Sequence, residues 1–308
     1  MVWLAALVTY GEAEQIFMRI AHRDRPSTSI WRQVQAEGER LKQYEEQRQS
    51  QTAPERVVLP PPGRDHTQRQ GVSMDGGKIN IRGEGEGWKE FKVGAVYDVA
   101  VEPEWDTDTA EWIDQAHGVN IAYRGVLGSV PDFAPALWTL AVDRCIPQAA
   151  DLSCTADGAE WIWNVADDLF PNARQIVDWY HATEHVAKAA EALHPKNAAA
   201  AQSWQHERRQ DLYQGAAKHI AALLEKAGLP EHATYFHTHQ RRMQYQEFRE
   251  EGHPIGSGTV ESGIKRFKQR LSGPGMRWLR AAAERMLVLR GAVMSGDFDR
   301  LWAAAPLI

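Results

Sequence analysis

GVSMDGGKINIR, residues 71–82, is the stretch on which the reading of this chain turns. Val72, Met74, Ile79 and Ile81 are apolar, alternation resumes after the Gly76-Gly77 pair, and the period of two predicts a strand. The next run, WKEFKVGAVYDVAV (88–101), reads as a second strand reached through a Gly-rich turn, so the two make a β-hairpin. Asp75 is the exception in the pattern. A carboxylate inside an otherwise apolar strand must be paired, hydrogen-bonded or metal-bound, and the remainder of the chain is read for its partners.

Downstream, GVNIAYRGVLG (118–128) predicts a third strand and completes a meander. The period then changes. Residues 131–146 carry Phe133, Leu137, Leu140 and Ala141 at helical spacing, and 149–156 is a short apolar strand ending at Asp157-Gly158. A helix over 159–170, a fifth strand over 173–178 and a helix to about 193 follow. Three strands, then helix, strand, helix, strand, helix is the order of an RNase H-like domain. The prediction is α+β: a mixed five-stranded sheet whose parallel strands are joined through flanking helices that bury both faces.

Residues 195–252 are rich in Ala, Gln, His and Arg with no strand signal, and read as an all-α insertion dividing the core into 71–194 and 253–308. HPIGSG (253–258) breaks the helical pattern. A new helix over 259–271 has an apolar face of Val260, Ile264, Phe267 and Leu271, with Glu261, Lys265 and Lys268 on the neighbouring face. A Gly-Pro-Gly turn precedes the last long helix, 276–293.

Ahead of the hairpin, residues 1–48 read as a helical region. The segment 10–24 is amphipathic, and a second helix starts at a Ser/Thr cap after Pro26. Such a pair suits either a helix-turn-helix, whose second helix would present Ser29, Arg32 and Gln33 to DNA, or a plain helical hairpin. From residue 42 the composition turns to Gln, Glu and Pro, ending in Pro60-Pro61-Pro62-Gly63, and 49–70 reads as a linker.

With 308 residues, 43% hydrophobic and 25% charged, the chain can bury one large or two small cores and is not disordered. Its two cysteines lack metal-ligand spacing and predict a reducing cytoplasm without disulfides. The apolar opening MVWLAALVTY reads as a helix; it lacks a basic n-region and is far short of a membrane span. A net charge of −6 speaks against a whole-surface nucleic-acid binder. Its distribution says more: 262–290 holds eight bases and one acid, whereas 98–114 holds seven acids and no base and reads as a solvated connection.

Three carboxylates stand at telling places: Asp75 in the first strand, Asp157 at the end of the fourth, Glu261 in the first turn of a late helix. Side chains at adjacent strand ends converge with a helix packed over them, and three acids brought together repel unless cations sit between them. Two Mg²⁺ ions (or Mn²⁺) held by such a cluster suit in-line displacement at phosphorus, hence phosphodiester hydrolysis or strand transfer. Each acid also has a duller role, since Asp-Gly pairs make turns and Glu261 can pair with Lys265.

Taken together, MDGGKI with WKEFKVGAVYDV, TADGAEWIW, VDWYHATEH and IGSGTVESGIKRFKQRLSGPGMRW resemble, in order, the DDE transposases of bacterial insertion sequences of the ISKra type. The resemblance implies that Asp75, Asp157 and Glu261 bind the metals. It also implies an RNase H-like fold with an α-helical insertion, double-stranded transposon-end and target DNA as partner, and a homo-oligomer on that DNA without membrane association. Asp178 and His181 fall on its D-x-x-H pattern and would support the site. Lys265, Arg266, Lys268, Arg270 and Arg277 are the expected DNA-backbone contacts. Two other readings stay open: a non-catalytic DNA-binding remnant, and an inverzincin-type zinc protease using His181, Glu184 and His185 in H-x-x-E-H. His232, His237 and His239 read as a surface cluster, and Trp161 and Trp163 as core residues.

Overall fold

The computed structural model describes residues 1–57, 69–106 and 111–306. Its centre is one mixed sheet of β1 (Arg69–Ile81), β2 (Gly87–Asp106), β3 (Glu111–Leu127), β4 (Asp151–Ala156) and β5 (Arg174–Val177), in the order β3-β2-β1-β4-β5. The meander β1-β2-β3 is antiparallel, and β4 and β5 add in parallel on the other side of β1. Before the sheet come α1 (Val2–Leu7), α2 (Tyr10–Ala21) and α3 (Ser27–Thr52). After it begin α4 (Val130–Asp143), α5 (Glu160–Leu169) and α6 (Trp179–Leu193), which alternate with the parallel strands. An all-helical stretch follows: α7 (Ala198–Tyr213), α8 (Ala217–Lys226), α9 (Pro230–His239) and α10 (Tyr245–Glu250). Last are α11 (Gly258–Leu271), α12 (Arg280–Met294) and α13 (Phe298–Ala304). This is the mixed sheet with flanking helices that the periodicity predicts.

Strand alternation divides the apolar residues between two cores. Val72, Met74, Cys154 and Ala156 face one way, into a core with α4, α5, α6 and the all-helical stretch. Ile79, Ile81, Phe91 and Val93 face the other way, into a core with the N-terminal helices, α11 and α12. Each fully buried aliphatic or aromatic side chain contributes about 1.5–3 kcal/mol, so a sheet covered on both sides is the stable arrangement. By the same alternation Asp75 shares the α11 face with Ile79 and Ile81. The Gly76-Gly77 pair does not interrupt β1. A Cβ at Gly77 would lie 2.5 Å from the Phe91 ring of the neighbouring strand, so glycine is what lets that ring lie across the sheet.

Three expectations are corrected. The acidic stretch 98–114 is no loose connection: β2 and β3 run through its described part as a hairpin arm, with Val101 opposite Ala116 and Trp105 opposite Trp112. The two tryptophans meet edge to face at 5.9 Å, a cross-strand pair that offsets the acids around it. Second, residues 49–52 are not linker but the last turn of α3, since Gln, Lys, Glu and Arg are good helix formers and the next proline after the helix starts is Pro54. Residues 58–68, with Pro60 to Gly63, lie outside the described residues. Third, α3 begins without its Ser/Thr cap; the Ser27 amide donates to Glu14 Oε2 at 2.9 Å instead.

α3 is stitched along its length to the rest of the molecule. Glu45 meets Arg124 of β3 in a buried pair at 2.8 Å, and Arg40 donates to the carbonyls of Trp302 and Ala305. Thr52 accepts from Trp138 Nε1 through its carbonyl at 2.7 Å. Ser29, Arg32 and Gln33 are exposed, while Ile30, Val34 and Leu41 on the opposite side are buried. Cys145 and Cys154 are both free. Among the described residues no helix is long and apolar enough to cross a membrane.

Candidate active site

The parallel ladders bring distant acids level. Arg69 lies opposite Asp151 and Val72 opposite Cys154; continued along both strands, the same register sets Asp75 against Asp157. In the next ladder Ser153 lies opposite Arg174 and Ala156 opposite Val177, and one step further Asp157 meets Asp178. The Asp178 amide extends that ladder by donating to the Ala156 carbonyl at 2.7 Å. Asp157 and Asp178 thus follow directly on the carboxyl ends of β4 and β5, where open sheets place their sites, level with Asp75 in the middle of the longer β1.

Glu261 reaches this edge because the loop ahead of α11 is sewn to it. Thr155 Oγ1 donates to the Pro254 carbonyl at 2.9 Å, the Trp179 amide donates to the Ile255 carbonyl at 2.9 Å, and the Ser257 amide donates to Asp178 Oδ2. Ser257 Oγ then donates to Glu261 Oε1 at 3.0 Å. Asp178 is wholly buried, and its Oδ1 accepts the His181 amide at 2.8 Å and the His181 ring Nδ1 at 3.2 Å. Asp75 Oδ1 accepts its neighbour's amide, that of Gly76, at 2.6 Å, and Asp157 Oδ1 accepts the Ala159 amide at 2.9 Å.

The acids act on one another. Burial first, then the negative charges of Asp157 and Glu261, push the Asp75 carboxyl up to about 6 against the pull of the Gly76 amide and Lys268. Burial would also raise Asp178, but the hydrogen bonds from His181 and Ser257 outweigh it and hold that carboxyl below its ordinary value. The Asp178 hydrogen bond holds His181 up at about 9, with Asp157 and Glu184 adding and burial opposing. The ring therefore carries a proton on Nδ1 toward Asp178 and presents Nε2 outward.

Among the described residues, the group whose ligand atoms all lie within 4.8 Å of one another is Asp178, His181 and Glu261. Both Asp178 oxygens are already committed to Ser257 and His181, so this carboxylate orients the imidazole rather than offering an open ligand position. Asp75, Asp157 and Glu261 supply hard oxygen donors of the kind Mg²⁺ and Mn²⁺ select. Burial and, after it, the charges of Asp157 and Glu261 make an ionised Asp75 costly, and a bound dication would lower that cost.

The other predicted residues separate into two sets. Lys265, Arg266, Lys268 and Arg277 are exposed, with Lys265 4.0 Å from Glu261. Arg270 is corrected: only 3% exposed, it donates to the Ala5 carbonyl at 2.8 Å and lies over the Tyr10 and Trp278 rings. Arg290 likewise donates to the Ala6 carbonyl. Both cations satisfy carbonyls at the C-terminal end of α1. Arg280 is paired with Glu86 and Arg285 with Glu39, so half of the basic run, buried or exposed, already has a partner within the chain.

In the H-x-x-E-H stretch His185 lies flat on Tyr235 at 3.6 Å and is absent from the ligand group, while Glu184 faces Lys188. His237 pairs with Glu225, and burial brings the His239 ring down to about 4. Trp161 packs edge-on against Phe133, and Trp163 beneath Arg242. Two contributors escape sequence reasoning. Ser257, the residue preceding α11, ties Asp178 to Glu261. Tyr235 of α9 packs on the Asp157-Gly158 turn, where a Gly158 Cβ would lie 2.7 Å from its ring. Ser257 had a signal in its place before a helix; Tyr235 had none.

No protein-family model matches this chain, and no curated protein matches it.

Proposed function

We propose that this chain is a DDE-type transposase with an RNase H-like catalytic core, cleaving and joining double-stranded DNA at insertion-sequence ends in the cytoplasm, as a homo-oligomer on DNA. The observation that carries the reading is the approach of Asp75, Asp157 and Glu261, from β1, the end of β4 and α11, where burial first and then the charges of Asp157 and Glu261 push Asp75 up to about 6. Asp75, Asp157 and Glu261 would hold two Mg²⁺ or Mn²⁺ ions. Bound there, these supply activation of the attacking oxygen and stabilisation of the leaving one at phosphorus.

The chain's own groups do the rest. Ser257 fixes the Glu261 carboxylate, and Asp178 fixes the His181 imidazolium. That imidazolium places a positive, proton-bearing Nε2 beside the acids, suited to a phosphoryl oxygen or a departing alkoxide. Exposed Lys265, Arg266, Lys268 and Arg277 are free to meet phosphates.

Nicking of supercoiled plasmid and of end duplexes in Mg²⁺ or Mn²⁺ tests this. Cleavage should vanish in Asp157→Asn and Glu261→Gln and persist in Glu184→Gln. A well-folded wild type that binds DNA and never cuts it would sink the enzyme in favour of a non-catalytic remnant. Zn²⁺-dependent peptide hydrolysis lost in Glu184→Gln would sink both.

A further inference from the structure

A cleft of about 600 Å³ opens next to the acid cluster, between the β2-β3 hairpin arm and the all-helical stretch. Its floor is the start of α11, with Gly256, Gly258, Thr259 and Ser262, the last adjoining Glu261. It abuts the site directly: a Cβ at Gly256 would lie 3.5 Å from the Tyr180 ring and 3.9 Å from Asp178 Oδ2.

The two walls differ. On the helical side stand Arg209 of α7 and Arg249 of α10, held over the rings of Trp179 and Tyr213 and without a carboxylate partner among the described residues. Beside them His253, 2% exposed, turns its ring Nε2 toward Asp151 and Glu251 at 3.6 Å each, so its unpartnered Nδ1 is an acceptor and the donors of this wall are the two guanidiniums and the amides that follow. α11 starts without a side-chain cap, and the Gly258 and Thr259 amides meet no acceptor among the described residues. Donors thus crowd one wall. The arm opposite carries Glu104 and Asp114, which repel phosphate, and Trp105, 48% exposed. Tyr180, at the mouth, is 64% exposed.

The geometry points to a binding groove for one unpaired strand of nucleic acid, its phosphates on Arg209, Arg249 and the α11 amides, its bases stacked on Tyr180 and Trp105. A single cationic wall serves a single backbone, and the acidic arm excludes a second. Paired bases hide the faces that the two aromatic rings offer, whereas an unpaired base presents them. Resting on the reading of the acids as a phosphoryl-transfer site, this assigns the groove to the strand flanking the scissile phosphate, held open beside the cut.

The test is fluorescence anisotropy in EDTA, so that binding is read without cleavage, using labelled oligo-dT and a blunt duplex of equal length. Tyr180→Ala should weaken oligo-dT binding about 5- to 150-fold, the range for loss of one stacking face. Arg209→Gln and Arg249→Gln should each weaken it and lower the salt slope by about 0.7, while Arg209→Lys retains most of the affinity. Duplex affinity should change far less in all of them. Circular dichroism and the melting temperature check that each variant is folded. Unchanged oligo-dT binding in the folded variants, or equal losses on oligo-dT and duplex, would overturn the groove. If instead oligo-dT binding falls as expected while the wild type never cleaves DNA, the groove stands and the enzymatic reading alone fails.

Discussion

Replacing Asp75 by Asn should stabilise the protein in the absence of divalent metal. A carboxyl pushed from 3.8 up to about 6 in the folded state makes the ionised form about 3 kcal/mol less favourable there than in the unfolded chain. Partial exposure of Asp75 and the weaker acceptor strength of an amide bring the expected gain down to about 1–2 kcal/mol. Asn keeps the Oδ1 that accepts the Gly76 amide, so the local turn survives. The sign follows from the direction of the shift. Because the folded value is raised, the cost is absent below about 4, grows as pH rises toward 6, and is whole above that. Urea unfolding of wild type and Asp75→Asn across pH 4 to 8 should therefore show curves that meet at the acid end and separate toward neutral pH, the variant the more stable. Mg²⁺ should raise the wild type at pH 8 and leave the variant unmoved. A variant less stable than wild type at every pH would refute the reasoning and make Asp75 a hydrogen-bonding residue of the strand.

Two further outcomes are expected. In Asp178→Asn the His181 ring should titrate from about 9 back toward 6.5, followed by NMR of its ring protons; with the ring 39% exposed, the lost charge pairing is worth about 1 kcal/mol. The raised His181 makes that stabilisation whole below about 6.5 and lost as pH climbs through 9, so the gap between wild type and variant should close above pH 9; a constant gap would count against the pair. Arg270→Ala should cost about 2–4 kcal/mol in urea unfolding and leave the salt slope of DNA binding untouched, because its cation serves a buried carbonyl. Lys268→Ala should do the reverse, with stability within about 0.5 kcal/mol and the slope lower by about 1.

The sheet was legible because alternation and short apolar runs report burial directly, and β1, β4, β5 and the second half of β3 fall close to where the pattern puts them. The arm was missed for a physical reason. Residues 98–105 and 112–114 look solvated because most of them are exposed; what makes them strand is the Trp105–Trp112 pair and Val99 and Val101 across from Gly118 and Ala116, cross-strand contacts that alternation along one strand does not report. α3 was cut short for the opposite reason. Its last turn, 49–52, is polar, and its place is set by α4, where Thr52 meets Thr139 Oγ1 at 2.8 Å and its carbonyl accepts from Trp138 Nε1.

The places of Asp75 and Asp157 were legible from the pattern, since Asp75 breaks an apolar strand and Asp157 follows the end of one. The bases were not, and α11 says why. Counting about 100° per residue, Lys268 and Arg270 stand on opposite flanks of the stripe formed by Val260, Ile264, Phe267 and Leu271, at similar angles from its middle. Helical periodicity cannot say which flank is covered. The answer comes from the other end of the chain: α1 and Tyr10 close over the Arg270 flank, where the guanidinium finds the Ala5 carbonyl. Glu261 lies on the Lys268 flank, and there the charge of Lys268 draws down the Asp75 carboxyl that the neighbouring acids push up. The basic residue at the site is thus the one on the flank that the N-terminal helices leave open, and covering the other flank is what orients α11 so that Glu261 faces the sheet edge.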